Sequence, residues 1–177
     1  MNEILITNLG IFGGIILVLG AMYPAKKVKI PRNSVKNWLF AVGAIILFTY
    51  AVLNYLYANG TLFFAILEIL ALVSSGLMLG GIPAKISTKI ISVLGLALVS
   101  WSVFIAKDYE AIIFILGLVI VSWGYVLPSG TTKRNLVLAI GSLLIAFFSY
   151  LEKELVFFWL NIFFAGFSFY HVWKLHK

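Results

Sequence analysis

Gly13-Gly14-Ile15-Ile16-Leu17-Val18-Leu19-Gly20-Ala21-Met22-Tyr23-Pro24 and Gly117-Leu118-Val119-Ile120-Val121-Ser122-Trp123-Gly124-Tyr125-Val126-Leu127-Pro128 share one pattern, Gly-x6-Gly-x3-Pro. Ile11, Gly13, Ile16, Gly20 and Pro24 meet Ile115, Gly117, Ile120, Gly124 and Pro128 at a constant offset of 104. Two further blocks follow suit. Ser34-Val35-Lys36-Asn37, Ala41 and Gly43 meet Thr132-Lys133-Arg134-Asn135, Ala139 and Gly141 at an offset of 98. Tyr57, Leu62, Phe64, Leu67, Ile69 and Ser75 meet Tyr150, Leu155, Phe157, Leu160, Ile162 and Ser168 at an offset of 93. Leu, Ile and Phe coincide often by chance in apolar chains, so the glycine–proline pattern and the Asn37/Asn135 pair carry the match.

The matched blocks are hydrocarbon-like. Hydrophobic residues make up 63% of the 177 and charged residues 11%, which a soluble domain of this size has no interior to hide. A spanning helix needs about 20 apolar residues for a core of about 30 Å. Spans are predicted at 5–23, 37–57, 61–82, 88–106, 110–127, 135–150 and 155–173. The connections Ala58-Asn59-Gly60, Lys107-Asp108-Tyr109 and Leu151-Glu152-Lys153-Glu154 join only antiparallel neighbours. The first span lacks a basic n-region and a small-x-small cleavage site, so it reads as a helix rather than a signal peptide. With no cysteine in the chain, disulfides, thiolate metal sites and cysteine catalysis are excluded.

The net charge of +7 raises the question of nucleic acid, and its placement answers it. Eleven of the thirteen basic residues fall on one side of seven spans: Lys26, Lys27, Lys29, Arg32, Lys36, Lys85, Lys89, Lys133, Arg134, Lys174 and Lys177. Glu3, Asp108, Glu110, Glu152 and Glu154 fall on the other. An even number of spans would scramble this segregation. Lys/Arg excess marks the cytoplasmic face, so the expectation is a multi-pass cell-membrane protein with its N-terminus outside and its C-terminus cytoplasmic. The partner of the basic face is the lipid bilayer, with no role for nucleic acid.

The repeat gives an all-α architecture of three helices, one linker helix and three helices: residues 1–82 as the first triplet, 83–109 as the linker and 110–177 as the second triplet. An odd linker makes the triplets parallel, related by a pseudo-twofold axis along the membrane normal with a cavity between them. Gly13-x6-Gly20-x3-Pro24, the basic loop with Ser34, the tyrosines Tyr50, Tyr55 and Tyr57 and a polar residue in span three resemble the SWEET and PQ-loop superfamily of sugar facilitators, KDEL receptor and PnuC-type vitamin transporters. Pro128, Tyr150 and Asn161 repeat the pattern. The resemblance implies the same helix order, the same N-outside topology and transport by motion of the triplets. Ala25 and Ser129 stand where the glutamine that names the PQ loop would be, and no proline interrupts span two or span six. The asparagine that such families use in the third helix of each triplet is matched by Asn161, whereas span three carries Glu68.

Glu68 is the one carboxylate well inside a span. An ionised acid at that depth costs about 2.5–3.5 kcal/mol on insertion scales, so it must be protonated, paired or facing a wet cavity. The repeat sets Asn161 opposite it, and the two together suit a hydroxylated or amine-bearing solute; the alternative is hydrogen bonding between helices. Asn54 belongs either to that cavity or to the outer headgroups. Trp101, Trp123 and Trp159 lie deeper than the interfacial Trp38 and Trp173, and Trp101 is a candidate to stack on a ligand as well as to pack. Gly20 and Gly124 read as close helix contacts with motion as a secondary role. Pro24 and Pro128 read as helix terminators that double as candidates for gate hinges.

The expected function is a small-solute carrier, for a sugar- or vitamin-like molecule, working by alternating access and with a proton-coupled version motivated by Glu68. The alternative is a non-transporting membrane subunit or receptor, with a homo-oligomer or complex partner; a two-helix repeat would instead indicate a three-hairpin array. No serine–histidine–acid set, carboxylate pair or metal spacing points to an enzyme or a cofactor.

Overall fold

The computed structural model describes residues 3–23, 31–101, 109–128 and 131–175. Within them run seven α-helices: α1 Glu3–Met22, α2 Val35–Tyr57, α3 Leu62–Leu79, α4 Ala84–Trp101, α5 Tyr109–Val126, α6 Thr132–Leu151 and α7 Leu155–Leu175. A 3-10 turn, Pro31–Asn33, leads into α2, and no strand occurs among the described residues. α1, α2, α3, α6 and α7 are each long and apolar enough to cross a bilayer. Their outward faces are greasy: Ile4 is 68% exposed and Leu5 60%, while Glu68 is 3% and Ser142 0%. Apolar side chains outside and polar ones within is the partition that a hydrocarbon solvent selects. The chain is an all-α seven-helix membrane protein.

Six helices close a ring. α1 packs on α2, α2 on α3, α3 on α5, α5 on α6, α6 on α7, and α7 returns to α1; α4 lies outside, against α5 and α3. Exchanging α1 with α5, α2 with α6 and α3 with α7 maps this order of neighbours onto itself. The exchange holds at atomic detail. A Cβ added at Gly43 would lie 2.8 Å from Leu17 Cγ, and one at Gly141 would lie 2.7 Å from Val121 Cγ2. One at Gly13 would meet Ile46 Cγ2 at 2.9 Å, and one at Gly117 would meet Leu144 Cβ at 2.9 Å. Each partner is the other's counterpart at an offset of 104 or 98. Glycines are required here because the backbones of α1 and α2, and of α5 and α6, approach too closely for any side chain.

Helix ends depart from the apolar runs by a few residues, for local reasons. α6 begins at Thr132 rather than 135 because Thr131 caps it, its hydroxyl accepting from Arg134 N at 3.2 Å; Lys133 and Arg134 are therefore helical. α2 likewise starts under Ser34, which accepts from Asn37 N at 3.4 Å. These are side-chain caps of the first turn. α4 starts at Ala84 rather than 88, directly after Pro83, whose carbonyl accepts from Ile86 N and Ser87 N. α3 stops at Leu79 instead of running to 82. Gly81 takes φ +70 and Ile82 N returns to Leu77 O at 3.1 Å, a glycine stop. Asn59 and Lys153 adopt φ 57 and 58 in the two matching turns, α2–α3 and α6–α7.

Candidate functional site

The ring interior is packed at both ends and carries a few polar side chains in the middle. Toward the end that carries Glu3 and Glu154, Phe64 of α3 stacks on Phe157 of α7, ring centroids 4.3 Å apart and 8° from parallel. The two are repeat counterparts, so this stack lies on the pseudo-twofold axis. Tyr50 leans on Phe157 at 5.6 Å and its counterpart Phe148 on Phe64 at 5.8 Å. Toward the basic end, Phe40, Tyr125 and Phe164 form a second cluster with centroids 5.5 to 6.1 Å apart.

Between the clusters lies a cavity of ≈ 30 Å³, room for about two waters at about 15 Å³ each. Glu68, Ser122, Tyr125, Ser142 and Asn161 bring polar atoms to its wall, and the rest is aliphatic or aromatic. Glu68 and Asn161, one turn inward from the stacked phenylalanines, line it from opposite triplets. Glu68 Oε2, Ser122 Oγ and Ser142 Oγ are buried without a hydrogen-bond partner. Asn161 Nδ2 donates to Phe157 O at 2.8 Å. A buried polar atom left unmatched costs about 1–3 kcal/mol. Three such atoms, Glu68 Oε2, Ser122 Oγ and Ser142 Oγ, face this one small volume. Ser74 and Ser149, also buried, instead bond back to Leu70 O and Ile145 O, which is what a serine in a membrane helix does when it has only structure to serve.

Below the cavity, Tyr125 lies within electrostatic range of both Glu68 and Arg134. Arg134 is 3% exposed and donates from Nη1 to Leu127 O at 3.4 Å. Its counterpart Lys36 donates from Nζ to Tyr23 O at 3.1 Å. Tyr23 and Leu127 are themselves counterparts. Each repeat thus closes the C-terminus of its first helix with a cation from its second, where the helix dipole is negative. His171 Nε2 sits 3.1 Å from Ala21 O at the same end.

The remaining residues singled out by the sequence lie elsewhere. Asn54 is not at the cavity: its Nδ2 donates to Glu154 Oε1 at 2.8 Å, while Tyr50 Oη donates to Glu154 Oε2 at 3.2 Å. One turn from the end of α2, it faces the start of α7. Trp101 is half-buried against Phe63, centroids 6.2 Å apart, and does not line the cavity, because α4 stands outside the ring. Gly20 and Gly124 are contact points: an added Cβ would meet Leu39 Cβ at 3.1 Å and Leu138 Cδ2 at 2.5 Å respectively. Pro128 is exposed in the α5–α6 turn, its carbonyl accepting from Thr131 Oγ1 at 3.0 Å. Pro24 lies outside the described residues. Ser122, Ser142 and Tyr125 were not foreseen. Their counterparts are Val18, Ala44 and Ala21, so the repeat gave no signal; only their being polar within apolar spans did.

Among the described residues no group of three or more His, Asp or Glu stands close enough to hold a metal ion. Set against protein-family models, curated proteins and solved structures, the chain matches none of them.

Proposed function

We propose that the protein is a membrane carrier for a small solute, of the SWEET and PQ-loop kind, in which two three-helix repeats rock about the central cavity. The observation that carries this reading is a small, mainly apolar cavity between the two repeats into which Glu68, Asn161, Ser122, Ser142 and Tyr125 bring polar atoms, closed above and below by aromatic clusters. Two parallel repeats around a midplane site can open to either side by related motions. Both aromatic clusters are packed, and the carrier reading takes this arrangement as its occluded stage. The Phe64/Phe157 pair is the outer gate. Phe40, Tyr125 and Phe164, backed by Lys36 and Arg134, are the inner one. Glu68, Asn161, Ser122 and Ser142 bind the solute. The gathering of basic residues at one end orients the chain with its N-terminus outside the cell membrane and that end in the cytoplasm.

The chain contains no cysteine, so Ser142→Cys introduces one thiol at the cavity. In proteoliposomes, a membrane-impermeant thiol reagent should label it from either face. A thiol reached from neither face indicates a non-transporting subunit. Uptake of radiolabelled glucose and of nicotinamide riboside gives the direct measure: transport of either should fall at least tenfold in Glu68→Ala and in Asn161→Ala. Wild-type rates in both variants would remove these residues from the site.

A further inference from the structure

The pseudo-twofold symmetry of the ring is broken at its perimeter, where α4 covers the α3/α5 junction and leaves the α1/α7 junction bare. At the α3/α5 junction, α4 covers the outside. Gly95 of α4 sits over Val119, where a Cβ would be 2.5 Å from Cγ2. Ser92 Oγ accepts from Trp123 Nε1 at 3.0 Å, and Trp101 meets Phe63. The counterparts of Val119, Trp123 and Phe63 are Ile15, Leu19 and Val156. All three line an uncovered groove of ≈ 550 Å³ between α1 and α7.

The wall behind the groove is thinner as well. Leu118 of α5, 1% exposed, lines the cavity together with Leu67 of α3. Its counterpart is Gly14, where an added Cβ would meet only Leu160 Cδ1, at 3.8 Å. Leu160 lines both the groove and the central cavity. Leu160 therefore borders both an apolar groove on the outer face of α1 and α7 and the pocket that holds Glu68 and Asn161.

The two spaces differ in chemistry and size as the two ends of an amphiphile do. The groove has one polar lining side chain, Thr7. The cavity as closed here, room for about two waters, admits a primary ammonium, which donates where Glu68 Oε2, Ser122 Oγ and Ser142 Oγ lack partners. We propose that groove and cavity form one site for a single-chain amphiphile with a primary-amine head, the head against Glu68, Asn161 and the two serines, the tail along α1 and α7, admitted sideways past Leu160. This rests on the reading of the cavity as the binding site and replaces a water-soluble solute by a lipid-phase one. An alkyl tail gains little on leaving lipid for an apolar groove, so selectivity comes from the head.

The test uses the full chain in phosphatidylcholine nanodiscs with hexadecylamine carrying a mid-chain diazirine, cross-link positions being read by mass spectrometry. Labelling of Ile15 and Phe163 should be saturable and competed by unlabelled hexadecylamine. It should fall at least tenfold in Glu68→Gln and in Gly14→Phe, and persist in Gly14→Ala, whose methyl fits the space. The same diazirine on uncharged hexadecane should label the perimeter alike in all variants. If Gly14→Phe does not fold, Glu68→Gln decides alone, being isosteric. Groove labelling that does not saturate, or that is equal in Glu68→Gln, means annular lipid only and overturns the proposal. Two-sided labelling of Ser142→Cys alongside that result leaves the carrier standing with a water-soluble solute; its absence removes the carrier too.

Discussion

Glu154 shows how far a single residue departs from what its position in the chain suggests. It sits in the short turn before α7, as one of five acids that the sequence sets opposite the basic residues, yet it is half-buried and tied to α2 through Asn54 and Tyr50. Burial pushes its carboxyl above the ordinary 4.5, and the two hydrogen bonds pull the other way without cancelling the rise. The folded state therefore binds this proton more tightly than the unfolded chain does. Stability contributed here is fully present below about 4.5 and is lost as pH rises through the folded value. Thermal unfolding in detergent should show a higher midpoint at pH 4.5 than at pH 7. Glu154→Gln, which keeps an acceptor for Asn54, should flatten that difference; an unchanged slope would assign the pH dependence to other groups. Neither bond was readable beforehand, because nothing near Asn54 in sequence says which way the last turn of α2 faces. Glu68 was readable, because a lone carboxylate deep in an apolar run has few places to go.

At the scale of helices, the glycines divide by what an added methyl group would touch. At Gly141 it would lie 2.7 Å from the backbone nitrogen of Val121 and 2.8 Å from the carbonyl oxygen of Gly117. Backbone cannot step aside as a side-chain tip can, so Gly141→Ala must push α5 and α6 apart. Overpacking of this sort costs about 1–3 kcal/mol. At Gly166, in α7, nothing lies within 4 Å, and Ala is the better helix former by about 1 kcal/mol. Gly141→Ala should lower the unfolding midpoint in detergent while Gly166→Ala leaves it level or raises it; equal effects would mean that the α5/α6 contact is looser than drawn. Sequence marked Gly13, Gly20, Gly117 and Gly124 by their spacing of seven and Gly141 by its match to Gly43. It could not separate them from Gly166, since tightness is a property of two helices at once. Helix ends were off by up to four residues for a related reason. Hydropathy reports where hydrocarbon begins, whereas Thr131, Pro83 and Gly81 set where hydrogen bonding starts and stops.

For the whole molecule, the Phe64/Phe157 stack joins two repeat counterparts across the centre of the ring. Phe157→Ala removes a fully buried ring, a loss of about 3–5 kcal/mol. On the carrier proposal it also removes half of the outer gate between the cavity and the acidic end. In proteoliposomes the variant should react faster at Ser142→Cys from that side and at an unaltered rate from the basic side; equal acceleration from both would mean general loosening instead of a gate. The seven helices, the alternating loops and the pairing of the two triplets follow from sequence alone, because burying a backbone in hydrocarbon leaves few options and duplicated residues keep duplicated neighbours. Where the duplication fails, sequence is silent. That α4 covers one junction and leaves its twin bare, that Leu118 lines the cavity where its counterpart is Gly14, and that two serines without counterparts point inward are matters of which faces meet. Those were decided only when the ring closed, since closure fixes every helix's rotation at once while the residues of any one helix leave it free.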